Sequence, residues 1–363
     1  MDTECAGQCD NGACTCASAS WVITTVDSSP AVLGMTPSLA LDASGGAHIA
    51  SRNETGKDLR YASRPRGGAW TTSFIAMTGD VGYVPALAID ATGIEHVAYG
   101  SYDATHGAGL LYARRDPGGT RKFETIWGSG LYDHPALVVD AGGTVRVAFW
   151  SNAVNHFLEL YARPPLGSWV KTADLYSVGN SPVIAPDPSG GMHLLYQYYT
   201  APDYQVVYQY LPPASTVFES AIVVEPDSQI GFSPALELAP SGELHASYYD
   251  KTNGDLRYAH RPVGGSWVAT AIDTQGDVGL FTAMALDAAG GIYISYVATN
   301  GDVKLAYKSP GGNWMISMVD SVGPIGTGQG GGTSIALDGS GGVVIAYFDF
   351  AHGDLKVAER QCQ

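Results

Sequence analysis

The chain has 363 residues, with 19 Lys and Arg against 35 Asp and Glu, a net charge of −16 and a pI near 4.8. A field of that sign repels phosphate backbones and anionic lipid, which argues against nucleic acid and membrane surfaces as partners. No run of 18 apolar residues occurs, so no predicted helix crosses a membrane.

Four of the five cysteines crowd the start (Cys5, Cys9, Cys14, Cys16), and the fifth is Cys362. The segment Cys9–Cys16 resembles the second half of an epidermal-growth-factor-like knot, and that resemblance implies disulfide bonding. Zinc is the rival, but the spacing is not two CxxC pairs and no histidine lies nearby. A disulfide cluster predicts export, with the export signal expected to have been removed ahead of Met1. Residues 1–18 are therefore read as a cysteine-rich segment and 19–363 as the folded domain, with a bond expected between Cys362 and the N-terminal cluster.

From there on the chain repeats itself. Pro37-Ser-Leu-Ala-Leu-Asp42 returns as Pro85–Asp90, Pro135–Asp140, Pro182–Asp187, Pro234–Ala239, Thr282–Asp287 and Thr333–Asp338, at spacings of 48, 50, 47, 52, 48 and 51 residues. Each copy alternates small and apolar residues at period two, the pattern of a strand. A glycine-rich turn follows, then a second strand such as His48-Ile-Ala or His245-Ala-Ser-Tyr248. A third strand follows a Gly-Asp turn, as in Gly254–Ala259, and a fourth opens with an aromatic: Trp70, Phe123, Trp169, Phe218, Trp267 or Trp314. Four short strands per repeat of this length predict an all-β, seven-bladed β-propeller with four antiparallel strands per blade. The seventh repeat ends at Arg360 without its fourth strand. Ser20-Trp-Val-Ile-Thr-Thr-Val-Asp27 matches Ser266–Asp273 almost position for position, so the N-terminal strand is expected to complete the last blade.

These repeats resemble the seven-bladed propellers secreted by bacteria, sialidase-, lyase- and lectin-like, whose consensus is close to HISYYD…NGDLKYA. His245–Asp250 with Gly254–Ala259 carries the likeness. The sialidase Asp-box and the Trp-Asp dipeptide are both missing. The resemblance implies two classes of function. One is an extracellular enzyme on a glycan, of polysaccharide lyase or glycosidase type. The other is a lectin or adhesion module without catalysis. A monomer is expected in either case.

Comparing the blades with one another separates scaffold from site. His48, His96, His193 and His245 share one repeat position and are read as hydrogen-bonded packing residues rather than metal ligands. The Asp closing the first strand (Asp42 and its counterparts) is read as a turn residue, and the tryptophans as packing between blades. Function is sought where blades differ, on the face carrying the blade-to-blade loops and the loops between second and third strands. Three non-repeated histidines fall there, His106, His134 and His156, beside Asp103 and Asp133. They could hold a divalent metal, with Asp133 as a further ligand, move protons, or stand as separate solvated loop residues. Tyr132 and Arg52 join them as catalytic candidates, Arg52 as a clamp on a substrate carboxylate. Tyr83, Tyr102, Asn180, Tyr198 and Glu54 are the candidates for holding a glycan.

Overall fold

A computed structural model describes the chain except residues 1–8, 11–12, 15–19, 29–31, 104–106, 129–131, 152–156, 177–178, 227–228, 326–330, 340 and 361–363. Each repeat forms one four-stranded antiparallel sheet, and seven such sheets stand in a ring. Blade one is Met35–Leu41, Ala47–Asn53, Asp58–Arg64 and Thr71–Ala76. The first strands of neighbouring blades touch one another all the way round, so they line the axis and the fourth strands form the rim. Blade seven takes Thr333–Leu337, Val343–Asp349 and Asp354–Arg360 from the C-terminal end and Trp21–Asp27 from the N-terminal end. In that last pairing Trp21 lies opposite Arg360 and Thr24 opposite Val357, so the expected closure is present. Near the start, Cys9–Asp10 and Ala13–Cys14 form a short ladder with Cys9 opposite Cys14. Cys5, Cys16 and Cys362 lie outside the described residues, and with them the expected bond to Cys362.

The repeated residues hold the blades as their chemistry predicts. Nδ1 of His96, His193 and His245 sits 2.7 Å from the hydroxyl of Tyr112, Tyr208 and Tyr258, each on the third strand of the same blade. His48 makes the same bond to Tyr61. Burial lowers the pKa of His96, His193 and His245, which favours the neutral imidazole. On the far side of each tyrosine stands a tryptophan from the next blade: Trp169 on Tyr112 at 5.1 Å, Trp267 on Tyr208 at 5.6 Å, Trp314 on Tyr258 at 5.0 Å. Edge-on contacts at these distances suit the ring quadrupoles. The closing aspartates make Asx turns: Asp42 Oδ1 accepts from the backbone N–H of Ser44 and Gly46, both at 2.8 Å. Burial would raise the Asp42 carboxyl, but hydrogen bonds from Ser44, His48 and Gly46 hold it at about 2.

A second interblade device has no counterpart in the sequence reading. The last residue of a fourth strand offers a carboxylate to the following blade. Asp273 accepts from Tyr296 at 2.7 Å and Lys304 at 3.1 Å, and Asp320 from Tyr347 at 2.8 Å and Lys356 at 3.3 Å. Glu225 takes Tyr248 at 2.8 Å together with Arg257. Asp27, on the N-terminal strand, does the same for Arg60 of blade one, so the closing strand ties two blades as well as completing one.

Candidate functional site

The first strand begins with a kink in six of the seven blades. Thr36, Val84, His134, Ser181, Ser233 and Phe281 all have left-handed φ, between 38° and 54°, and strand register breaks at each. Every one precedes the Pro or Thr that opens the sequence repeat. A non-glycine residue held there costs roughly 1–3 kcal/mol, sustained by the packing around it. The chain reaches the kink by crossing close under the preceding blade. Gly279, at φ 101°, would place a Cβ only 2.8 Å from the Cα of Leu256. The result is a ring of bulges at the axis, on the face where the blade-to-blade loops emerge.

His134 is therefore not a loop residue unlike the rest. Its backbone conformation is one that six blades share, and among those six it alone carries a titratable side chain. The imidazole is exposed. Tyr132 and Asp133 precede it in the strand, opposite Ser151 and Trp150. Their side chains, and His106 and His156 altogether, lie outside the described residues. The expected meeting of three imidazoles with Asp133 is thus outside what the structure describes. Among the described residues, no three His, Cys, Asp or Glu side chains gather as a metal ion would need.

Four other candidates do come together, at the junction of blades one and two. The guanidinium of Arg52 lies 3.6 Å from the centroid of the Tyr83 ring, and Tyr83 meets Tyr102 edge-on at 4.6 Å. Arg52 donates to Glu54 at 2.5 Å, to the carbonyl of Val81 at 2.6 Å and to Asp80 at 2.9 Å. It is only 2% exposed. Such an arginine positions Tyr83 and Glu54 and has little reach toward a substrate carboxylate, the part expected of it from the sequence. Glu54 stays open to solvent on the same face. Burial would raise the Asp80 carboxyl, but hydrogen bonds from Lys57 and Arg52 keep it below the usual range.

In blade four, Tyr198 packs edge-on against Tyr196 at 6.3 Å. Asn180 lies opposite Gln197 in the register, and Asn180 Oδ1 and Gln197 Nε2 are both buried without a hydrogen-bond partner. Beside them runs an aromatic ledge that the sequence reading named only in part. Tyr199 meets Tyr204 at 4.9 Å, Tyr204 meets Phe232 at 5.2 Å, and Phe232 meets Tyr249 at 6.4 Å. Tyr249 donates to Asp277 at 2.7 Å, and the ammonium of Lys251 stands 5.5 Å from the Phe232 ring. Phe232, Tyr249 and Lys251 were missed because two of them sit in the consensus strand and its loop, where comparison of blades assigns scaffold. The signal was the Gly-x-x-Pro that opens the first strand in four blades: Phe232 stands at the position of Tyr83.

Deeper on the axis, Glu237 occupies a position that is Ala40, Ala88, Val138, Ala185, Ala285 and Ala336 in the other blades, each opposite the same second-strand residue. Burial raises its pKa to about 7. A carboxyl whose pKa is raised on folding contributes full stability while it is protonated in both states. That contribution is lost as pH climbs from about 4.3, its unfolded value, through the folded pKa. Glu237→Gln is therefore expected to raise the urea midpoint at pH 8, by roughly 2–3 kcal/mol in stability, and to leave it unchanged at pH 4. An equal gain at both pH values would mean that the carboxyl is not held neutral.

The chain matches no family model and no curated protein. Solved structures of similar fold include the BP39L lectin of Burkholderia pseudomallei, with a TM-score of 0.69 at 13% identity over 90% of this chain and 95% of that one. A polysaccharide lyase of family PL25, an ulvan lyase, follows with a TM-score of 0.64 at 13% identity over 90% and 94%. A protein of unknown function from Dyadobacter fermentans aligns over 93% and 97% with a TM-score of 0.57 at 12% identity. At such identities the likeness shows the propeller fold. Among the described residues, no helix is long and apolar enough to cross a membrane.

Proposed function

We propose that this chain is a secreted glycan-binding propeller that takes one extended, uncharged oligosaccharide across the face carrying the bulges. The observation that carries this reading is the ledge Tyr199–Tyr204–Phe232, backed by the buried Tyr249, whose partly open rings offer flat apolar faces beside tyrosine hydroxyls. The Tyr83–Tyr102 pair, braced by Arg52, offers a second platform. Lectins and an ulvan lyase among the structures of similar fold support a carbohydrate ligand. The loops differ from blade to blade, which favours one site over seven equivalent ones. A net charge of −16 repels acidic polymers, so a neutral glycan is the better fit.

Catalysis is a second reading, favoured by His134. It is the one titratable side chain among the six left-handed residues, and an exposed imidazole there suits proton transfer. An array of neutral and uronate-containing glycans tests both readings. Phe232→Ala is expected to weaken binding of the retained glycan at least about ten-fold, the scale of losing one stacked ring in a site. Unchanged binding, or retention of acidic glycans alone, would sink the proposal. New reducing ends or an unsaturated uronate, produced by the parent and not by His134→Ala, would establish the enzyme instead.

A further inference from the structure

The carboxylate tie between blades is kept at four junctions and lost at three, and register identifies what replaced it. Ala76, Trp127 and Leu175 stand opposite Leu59, Leu110 and Leu158, as Asp273 stands opposite Leu256. At the junction of blades two and three, Trp127 and Phe149 fill the space, their rings 5.9 Å apart. At the next, Leu175 and Val207 fill it, and Tyr196 donates instead to Gln209 at 2.8 Å. Between blades one and two nothing fills it. Ala76 stands in place of the carboxylate and Leu111 in place of the cation, leaving a cavity of about 400 Å³ walled by Ile75, Ala76, Val81, Tyr99, Leu111 and Phe123. Tyr99 keeps the tyrosine that Tyr248, Tyr296 and Tyr347 represent elsewhere. It is 2% exposed, and no hydrogen bond to its hydroxyl is found, whereas those three all donate to a carboxylate.

We infer that this cavity binds a small uncharged molecule with an apolar body and one oxygen acceptor, which takes the hydroxyl hydrogen of Tyr99. The lining is mostly apolar, with Thr78, Thr125 and Glu124 as its other polar members, and the volume lies in the range of small-molecule sites. Tyr99 lines it, and its hydroxyl gives a ligand's oxygen a hydrogen-bond donor. An anion is disfavoured because Leu111 replaced the cation that would neutralise it, and losing water without a counter-charge is expensive. Two ion pairs stand nearby. Glu124 holds Arg163 through bonds of 2.8 and 2.9 Å, and Arg121 lies 2.9 Å from Glu95. Met77 and Phe123, both largely exposed, mark the mouth. This site is separate from the aromatic ledge and stands whether or not the chain binds glycans.

Acetophenone and ethylbenzene, nearly equal in shape and differing by the carbonyl, are the probes, titrated into the full chain by NMR. Both are expected to bind, acetophenone the more tightly. Tyr99→Phe should weaken acetophenone about five-fold, the worth of one neutral hydrogen bond, and leave ethylbenzene unchanged. Ala76→Trp, copying the next junction, should abolish both. Ala76→Asp, which places a carboxylate where it takes the Tyr99 hydroxyl hydrogen, should abolish acetophenone. Failure of either probe to bind the parent overturns the inference. So does a Tyr99→Phe variant that weakens both probes alike or neither, or undiminished binding by folded Ala76→Trp. If Ala76→Trp does not fold, Ala76→Asp decides: retention of acetophenone by that variant overturns the inference equally.

Discussion

A chain beginning at Ser28 is expected to lose the cooperative unfolding transition of the full protein and to aggregate. Without Trp21–Asp27, the strand Asp354–Arg360 becomes a free edge of seven residues, with unpaired N–H and C=O groups facing outward. Leu355 and Val357, now 1% and 0% exposed, would lose part of their cover. The burial contributed by Val26, about 1.5–3 kcal/mol, and the partial burial of Trp21 would be lost with the strand. The tie from Asp27 to Arg60 would go as well, loosening blade one from blade seven. Together these approach the whole stability of an ordinary domain, about 5–15 kcal/mol. Urea unfolding and light scattering check the expectation, and a synthetic Ser20–Asp27 peptide added in trans should restore the transition. A truncated chain that melts like the parent would mean that the ring does not depend on this strand.

Asp273→Ala is expected to destabilise the protein by about 3–5 kcal/mol, the cost of leaving the rest of a buried charged group unpaired. Asp273 is 4% exposed and accepts from Tyr296, Lys304 and the backbone N–H of Gln275. Its removal strands a buried phenol and a mostly buried ammonium. The three altered junctions suggest how to recover the loss. Asp273→Leu, Tyr296→Phe and Lys304→Val together build an apolar junction of the kind that blades three and four already use, and should restore most of the stability. Burial would raise the Asp273 carboxyl, but hydrogen bonds from Tyr296, Gln275 and Lys304 hold it below the ordinary carboxylate range. Its contribution is thus fully present above about pH 4, the unfolded value, and is lost as pH falls through the folded pKa. The difference between parent and triple variant should therefore shrink toward the parent's disadvantage in acid. A single Asp273→Ala change costing under about 1 kcal/mol, the worth of a surface pair, would mean that solvent reaches the tie.

The amino-acid sequence by itself determined the blade count, the strand order and the closure of the ring. The first two are written in a period that the copies share, and the closure in the match of Ser20–Asp27 to Ser266–Asp273. The Asx turns at Asp42 and its counterparts, the packing role of the repeated histidines, and the tryptophans between blades were legible for the same reason: a residue repeated in most blades at a fixed place serves the fold. Of the site, Arg52, Glu54, Tyr83 and Tyr102 were singled out separately, and the packed ring brings those segments of two adjoining blades to one corner. The direction of Arg52 was not legible. Whether a guanidinium faces a ligand or Asp80 and the Val81 carbonyl depends on burial, which belongs to the packed ring. His134 shows the converse: the sequence marked it as a departure, and only the backbone revealed that its strained conformation is common to six blades. The ties and the empty junction were decided by tertiary structure alone. A carboxylate at the end of one blade meets a tyrosine and a cation 23 and 31 residues further on. Ala76 becomes meaningful only when register sets it where Asp273 and Asp320 stand, because a missing side chain leaves no mark in a sequence until its neighbours are seen to surround it.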